Sequence, residues 1–206
     1  MPYVDEVIFD SDEQQEKFPS YDDQSPYDEA IGAASERYGV DPFWARATAK
    51  AESNFNVAAI SSAGAQGLFQ LMEGTAKDLG VKNRLDPNQN INGGVQYLGQ
   101  MIDIFDGDKI KGSAAFNAGA RNVKKAVQLY GDDWLENLHK VTGKNKKTGK
   151  FHADETRNYL KKIQKFYDEY NPQQGEQIKR GIIAKENLII DEGAPLAGTY
   201  VAEDKM

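Results

Sequence analysis

Glu52 closes an apolar helical run and stands directly before Ser53-Asn54-Phe55, which makes it a carboxylate placed to act as an acid. The glycine-punctuated stretch Gly64-Ala65-Gln66-Gly67-Leu68-Phe69-Gln70-Leu71-Met72 comes soon after it. Its amide, aromatic and thioether side chains suit a binding wall. One carboxylate can give a proton to a leaving group and later take one back. The same residues would also serve as a surface glutamate beside a turn, so the elements around them must decide.

Asp41-Pro42 is a helix start signal, and Phe43, Ala47 and Ala51 fall on one stripe leading to Glu52. Ser53 and Asn54 should end that helix, because short polar side chains compete for backbone groups. Glu52 then sits in the last turn, where unsatisfied carbonyls disfavour an ionised carboxylate by about 0.3–1 kcal/mol. Desolvation by Phe55 and apolar neighbours would push its pKa further up from about 4.3.

Before this helix, Ser25-Pro26 with Asp28 reads as a capped start, followed by Tyr27, Ile31, Ala34 and Tyr38 at helical spacing and a stop at Gly39. After the loop, Thr75 to Asp78 reads as a capping box that opens a short helix. Asp86-Pro87 leads into a longer one, with Ile91, Val95, Leu98, Ile102 and Phe105 as its core stripe. Lys109 to Phe116 is a small-residue helix that runs into Asn117-Ala118-Gly119. Val123, Ala126, Val127 and Tyr130 mark another, and Trp134 is expected as a buried anchor of a short one. His152 to Tyr170 regains helical period, with Leu160, Ile163 and Phe166 or Tyr167 inward, until Asn171-Pro172. No alternating strand pattern or internal repeat stands out, so the expected fold is mainly α.

The 206 residues suit one compact domain with tails, and the lack of cysteine rules out disulfides and thiolate metal sites. With His139 and His152 as the only histidines, neither a metal nor any other cofactor is expected. Residues 1–30 hold ten Asp and Glu against Lys17 alone, which exceeds the whole net charge of -7 and leaves the remainder close to neutral. The expected organisation is an acidic arm over 1–24, a catalytic domain over 25–170 and an extension over 171–206. Nucleic acid is not the expected partner, since phosphate binding needs a coherent basic face. The run Lys144, Lys146, Lys147, Lys150 reads as a solvated loop. No run of about 18 apolar residues suggests a membrane span, and the acidic start lacks the pattern of a signal peptide.

Four segments in fixed order resemble the catalytic domain of soluble lytic transglycosylases, the lysozyme-like family that cleaves peptidoglycan glycan strands. They are Glu52-Ser53, Gly64 to Met72, Ala115-Phe116-Asn117-Ala118-Gly119 and Glu155-Thr156-Arg157-Asn158-Tyr159. The likeness runs from about Asp28 to Tyr170. It implies a goose-type, lysozyme-like helical domain with a substrate cleft, and peptidoglycan strands as partner. By this resemblance Glu52 matches the single catalytic acid/base, while Ser53 follows it and steers the substrate's N-acetyl group. Gln70 and Met72 match subsite-lining positions, Asn117 matches the asparagine of the family's Tyr-Asn-Ala-Gly segment, and Tyr159 matches a tyrosine near the acid. Three departures stand out: Phe116 for the usual tyrosine, Phe69 for the common methionine, and Glu73 where proline often follows. Glu155 and Arg157 read as structural, the arginine as a partner for a carboxylate or carbonyl.

Most glycosidases use two carboxylates. The resemblance implies that one suffices here, because the C6 hydroxyl of the same muramyl residue closes a 1,6-anhydro ring in place of water. A hydrolytic muramidase on the same fold and a non-catalytic peptidoglycan-binding or virion structural protein are the competing readings. The missing signal pattern and the terminal segments suit a phage virion-associated wall-degrading protein with an assembly partner. They suit equally a domain of a larger protein.

Overall fold

The computed structural model describes residues 25–144, 149 and 151–171. The acidic arm 1–24, Lys146, Lys147 and Lys150 of the basic run, and residues 172–206 of the expected extension lie outside the described residues. In chain order the helices are α1 (Asp28–Tyr38), α2 (Pro42–Ser53), α3 (Glu73–Asp78), α4 (Pro87–Asp103), α5 (Lys109–Ala118), α6 (Ala120–Tyr130), α7 (Trp134–Asn137), α8 (His139–Thr142) and α9 (His152–Tyr170). The described residues form no strand, only isolated bridges such as Ile60 with Gln66 and Gln66 with Leu71. The mainly α expectation holds.

Helix α2 forms because Asp41 caps it, its carboxylate accepting from the Phe43 and Trp44 amides while Pro42 presets the first turn. Its small residues Ala45, Ala47 and Ala49 are buried, which lets α9 and α1 pack closely on either side. Helix α5 packs against α4, α6 and α9. Buried Trp44 fills the centre and donates from Nε1 to Ser113 Oγ of α5 at 2.9 Å. Asp41 Oδ2 also accepts from Lys109 Nζ of α5 at 3.0 Å and from the Tyr167 hydroxyl of α9 at 2.8 Å. The cap of α2 therefore also fixes its register against α5 and α9. Trp134 is buried at 6 % exposure, as an anchor should be.

Arg46, on α2 and nearly inaccessible, donates from Nε to Asp28 Oδ1 at 2.8 Å, and its guanidinium lies 3.7 Å from the Tyr170 ring centroid. A buried cation without such partners would be strongly destabilising. With them it links α1 to the end of α9.

Two helix starts differ from the sequence reading. The Ser25–Asp28 contacts exist, with the Ser25 amide donating to Asp28 Oδ2 at 3.0 Å, but they close a turn, and α1 begins at Asp28 with Tyr27 as its N-cap. Asp28 is shared between that turn and Arg46, so the box forms ahead of the helix. Helix α3 starts at Glu73 rather than near Thr75. The bridge between Gln66 and Leu71 keeps the chain extended up to Met72 (ψ 153°), and helix begins where that pairing ends. An acid at the first position offsets the missing side-chain cap.

Candidate active site

Helix α2 ends where expected, and its ending shapes the site. Asn54 (φ 52°) closes it in the left-handed region, its amide donating to Lys50 O, and Phe55 follows at φ 60°. Asparagine tolerates this conformation, whereas an aromatic residue there carries strain of order 1–3 kcal/mol. Packing holds it: Arg46 and Lys50 each lie 5.4 Å from the Phe55 ring centroid. The chain thus leaves sharply just after Glu52.

Glu52 is half-buried, recessed but reachable from solvent. Its pKa is raised from 4.5 to about 7, chiefly by desolvation. Tyr159 pulls it down, the negative charge of Glu155 pushes it up, and Lys162 lowers it. Tyr159 belongs to α9, is 6 % exposed, and its own pKa is held well above normal by burial and then by the Glu52 charge. The Tyr159 hydroxyl closes no hydrogen bond of ordinary distance and angle, so it acts on Glu52 as a nearby polar group rather than a formed bond. An acid half protonated near neutrality can both give and take a proton.

Ser53, next to the acid, donates from its hydroxyl back to Ala49 O at 3.2 Å. Its oxygen keeps acceptor capacity for a ligand.

The loop over residues 64–72, expected as a binding wall, is held by a residue outside the expected site. Buried Asn90 of α4 accepts at Oδ1 from the Phe69 amide at 2.7 Å and donates from Nδ2 to Gln66 O at 3.0 Å and Arg84 O at 2.8 Å. A Cβ on Gly67 (φ 80°) would lie 2.3 Å from Arg84 O and from Asn90 Nδ2. The close approach at Gly67 is thus made by Asn90 and the Arg84 carbonyl. Phe69 is fully buried against Gly94, where a Cβ would come within 2.2 Å of its ring. That departure from the common methionine belongs to the core.

Gln70, at φ 47°, donates from Nε2 to Ala59 O at 3.1 Å and Gly67 O at 2.9 Å. Its amide nitrogen therefore braces the loop, while Oε1 makes no hydrogen bond among the described residues. Met72 is 46 % exposed at the loop's end, and Ile60, which the sequence reading did not single out, is 61 % exposed in the same loop. An apolar residue just before Ser61-Ser62 was its only signal.

Asn117, at the end of α5, is exposed, and its Oδ1 accepts from Thr156 Oγ1 of α9 at 2.8 Å. Thr156 and Tyr159 are one turn apart on α9, so one helix carries both the group facing Glu52 and the group holding Asn117. Phe116 packs on Tyr97 of α4, ring centroids 5.1 Å apart. Arg157 donates to Leu135 O, Glu136 O and Asp154 Oδ1, the structural part expected of it.

A family model described as the transglycosylase SLT domain matches residues 29–137, more than half of the chain. The protein belongs to this SLT transglycosylase family. The matched range includes Glu52, Gln70, Met72 and Asn117, while Thr156 and Tyr159 lie beyond it. The chain is 38% identical over 117 residues to a transglycosylase of Enterobacteria phage PRD1, covering 56% of this chain and 44% of the other. It is 32% identical over 153 residues to membrane-bound lytic murein transglycosylase F of Vibrio cholerae, covering 64% of this chain and 29% of that one. Among solved structures it resembles lytic transglycosylase Slt of Pseudomonas aeruginosa, in an inactive mutant, with TM-score 0.59 and 26% identity over 77% of this chain and 25% of that one. The chain thus spans less than half the length of each. The lysozyme-like helical architecture expected from the motifs is the one observed.

Proposed function

We propose that the protein is a peptidoglycan lytic transglycosylase that cleaves the β-1,4 bond between MurNAc and GlcNAc with Glu52 as its single acid/base. The observation that carries this is the recessed Glu52, its pKa raised to about 7 by desolvation, facing Tyr159 in an SLT domain. Protonated Glu52 gives its proton to the glycosidic oxygen as the bond to C1 breaks. The substrate's 2-acetamido oxygen holds the positive charge that develops at C1. The resulting Glu52 carboxylate then takes the proton of the C6 hydroxyl, whose oxygen bonds to C1 and displaces the acetamido group. The 1,6-anhydro ring is closed, Glu52 is protonated again, and atoms balance without water, metal or cofactor. The nucleophile is already part of the sugar, so proximity replaces a second carboxylate.

Ser53, Gln70, Met72 and Asn117 are assigned to substrate binding. Met72, with Ile60, offers apolar surface to a sugar face, Gln70 and Ser53 offer acceptors, and Tyr159 stabilises charge beside the acid. The likeness to a phage transglycosylase supports a virion-borne role, with the terminal segments 1–24 and 171–206 contacting an assembly partner. Absence of the protein from purified particles of its source would overturn that role.

The test is mass spectrometry of peptidoglycan digested by wild type and by Glu52→Gln. The expected wild-type products end in 1,6-anhydromuramic acid, and the variant releases none. Products heavier by one water would assign hydrolysis instead. Activity unchanged in the variant would remove Glu52 from the chemistry.

A further inference from the structure

Thr156 is 1 % exposed, and its hydroxyl has one proton and two acceptors in reach: Asn117 Oδ1 at 2.8 Å and its own helix's His152 O at 3.3 Å. The shorter contact takes the proton. Asn117 is exposed and makes no other side-chain hydrogen bond among the described residues, so this single bond decides which end of its amide turns away from α9.

We propose that Thr156 is a positioning residue that holds Asn117 with Oδ1 against α9 and both Nδ2 hydrogens towards the ligand. The site at this point then selects a group that offers a carbonyl oxygen, and on the glycan reading above that group is a sugar acetamido oxygen. Without the threonine hydroxyl, the amide turns freely and offers donor and acceptor alike. Thr156→Val keeps the shape of the side chain and removes the proton. Its expected effect is a KM higher by about tenfold, the scale of one neutral hydrogen bond, with kcat nearly unchanged. Thr156→Ser, which keeps the hydroxyl, returns KM towards wild type. Asn117→Asp keeps the acceptor that faces Thr156 but loses the outward donors, and is expected to raise KM at least as far.

A wild-type KM in Thr156→Val, or in Asn117→Asp, would overturn the proposal, the latter because it would mean that the oxygen faces the ligand. A spectroscopic arm needs no turnover. The Asn117 side-chain amide pair in a proton–nitrogen correlation spectrum should be dispersed in wild type and in Thr156→Ser, and should collapse towards free-asparagine shifts in Thr156→Val. Undispersed Asn117 resonances in wild type would overturn the proposal on their own. If Thr156→Val fails to fold, the serine variant and Asn117→Asp, which alters an exposed side chain, still decide it. Wild type that turns over no peptidoglycan would remove the proposed function but leave the spectroscopic result to judge the Thr156 bond.

Discussion

The carboxyl of Glu52, in the last turn of α2, faces the hydroxyl of Tyr159, in the first half of α9, and neither group is satisfied by any ordinary hydrogen bond to the other. Burial raises the acid, the tyrosine draws it back, and the balance falls at about 7. Such a poised pair costs stability and gains reactivity.

The rate should therefore follow the protonated acid. We expect kcat/KM on peptidoglycan to fall about tenfold per pH unit above a pKa near 7. In Tyr159→Phe the lowering influence is gone, so this alkaline limb moves to higher pH. Activity at the optimum should fall by roughly 10–100-fold if the hydroxyl stabilises charge in the transition state. A pH–rate profile with an unmoved limb would show that the tyrosine does not act on Glu52.

Stability should report the same pKa. The folded-state value lies above the unfolded 4.5, so the native state binds more protons between these values and stability declines as pH rises through that window. Glu52→Gln removes this decline. It should be as stable as wild type near pH 4 and more stable at pH 8 by on the order of 1–3 kcal/mol, reduced by the solvent access of a half-buried group. Urea unfolding at the two pH values checks it, and an equal difference at both would refute the raised pKa.

Asn90 should matter far more than a polar residue in a helix suggests. Asn90→Leu fills similar volume but removes the partners of the Phe69 amide and the Arg84 carbonyl and one of the two donors to the Gln66 carbonyl, which keeps the Leu71 amide. We expect a loss of roughly 2–4 kcal/mol in denaturant unfolding, since buried unsatisfied groups cost about 1–3 kcal/mol each. Activity should fall with it, because the same bonds hold the loop that carries Gln70 and Met72.

Phe116→Tyr supplies the hydroxyl that the resemblance to soluble lytic transglycosylases leads one to expect at this position. Phe116 is only partly buried against Tyr97, so an added hydroxyl has room to reach water or ligand. We expect thermal unfolding within about 0.5 kcal/mol of wild type, as for surface changes. A severalfold fall in KM would show that this position contacts the substrate.

Much of the helical frame was legible in the sequence because its signals act over three or four residues. Asp41 caps α2, Asp86 caps α4 through the Gln89 amide, and Gly39 stops α1 in the left-handed region, each with its partner close in the chain. Helix starts differ from the local signal where another partner claims the same stretch of chain. Asp28 is shared with Arg46, so α1 starts late, and the Gln66–Leu71 bridge delivers the chain to α3 two residues before the expected box.

The sequence by itself determined that the chain is a mainly α protein of the SLT family with Glu52 at a helix end, and it nominated Gln70, Met72, Asn117 and Tyr159 as candidates for the same site. These follow from residue types and order, which folding does not alter. Only the tertiary structure decided that Asn90 holds the loop over residues 64–72, that Thr156 grips Asn117, and that Glu52 is desolvated opposite Tyr159. Desolvation and hydrogen bonding depend on what surrounds a group in space, and for these residues the surroundings come from another element: the 64–72 loop for Asn90, α5 for Thr156 and α9 for Glu52.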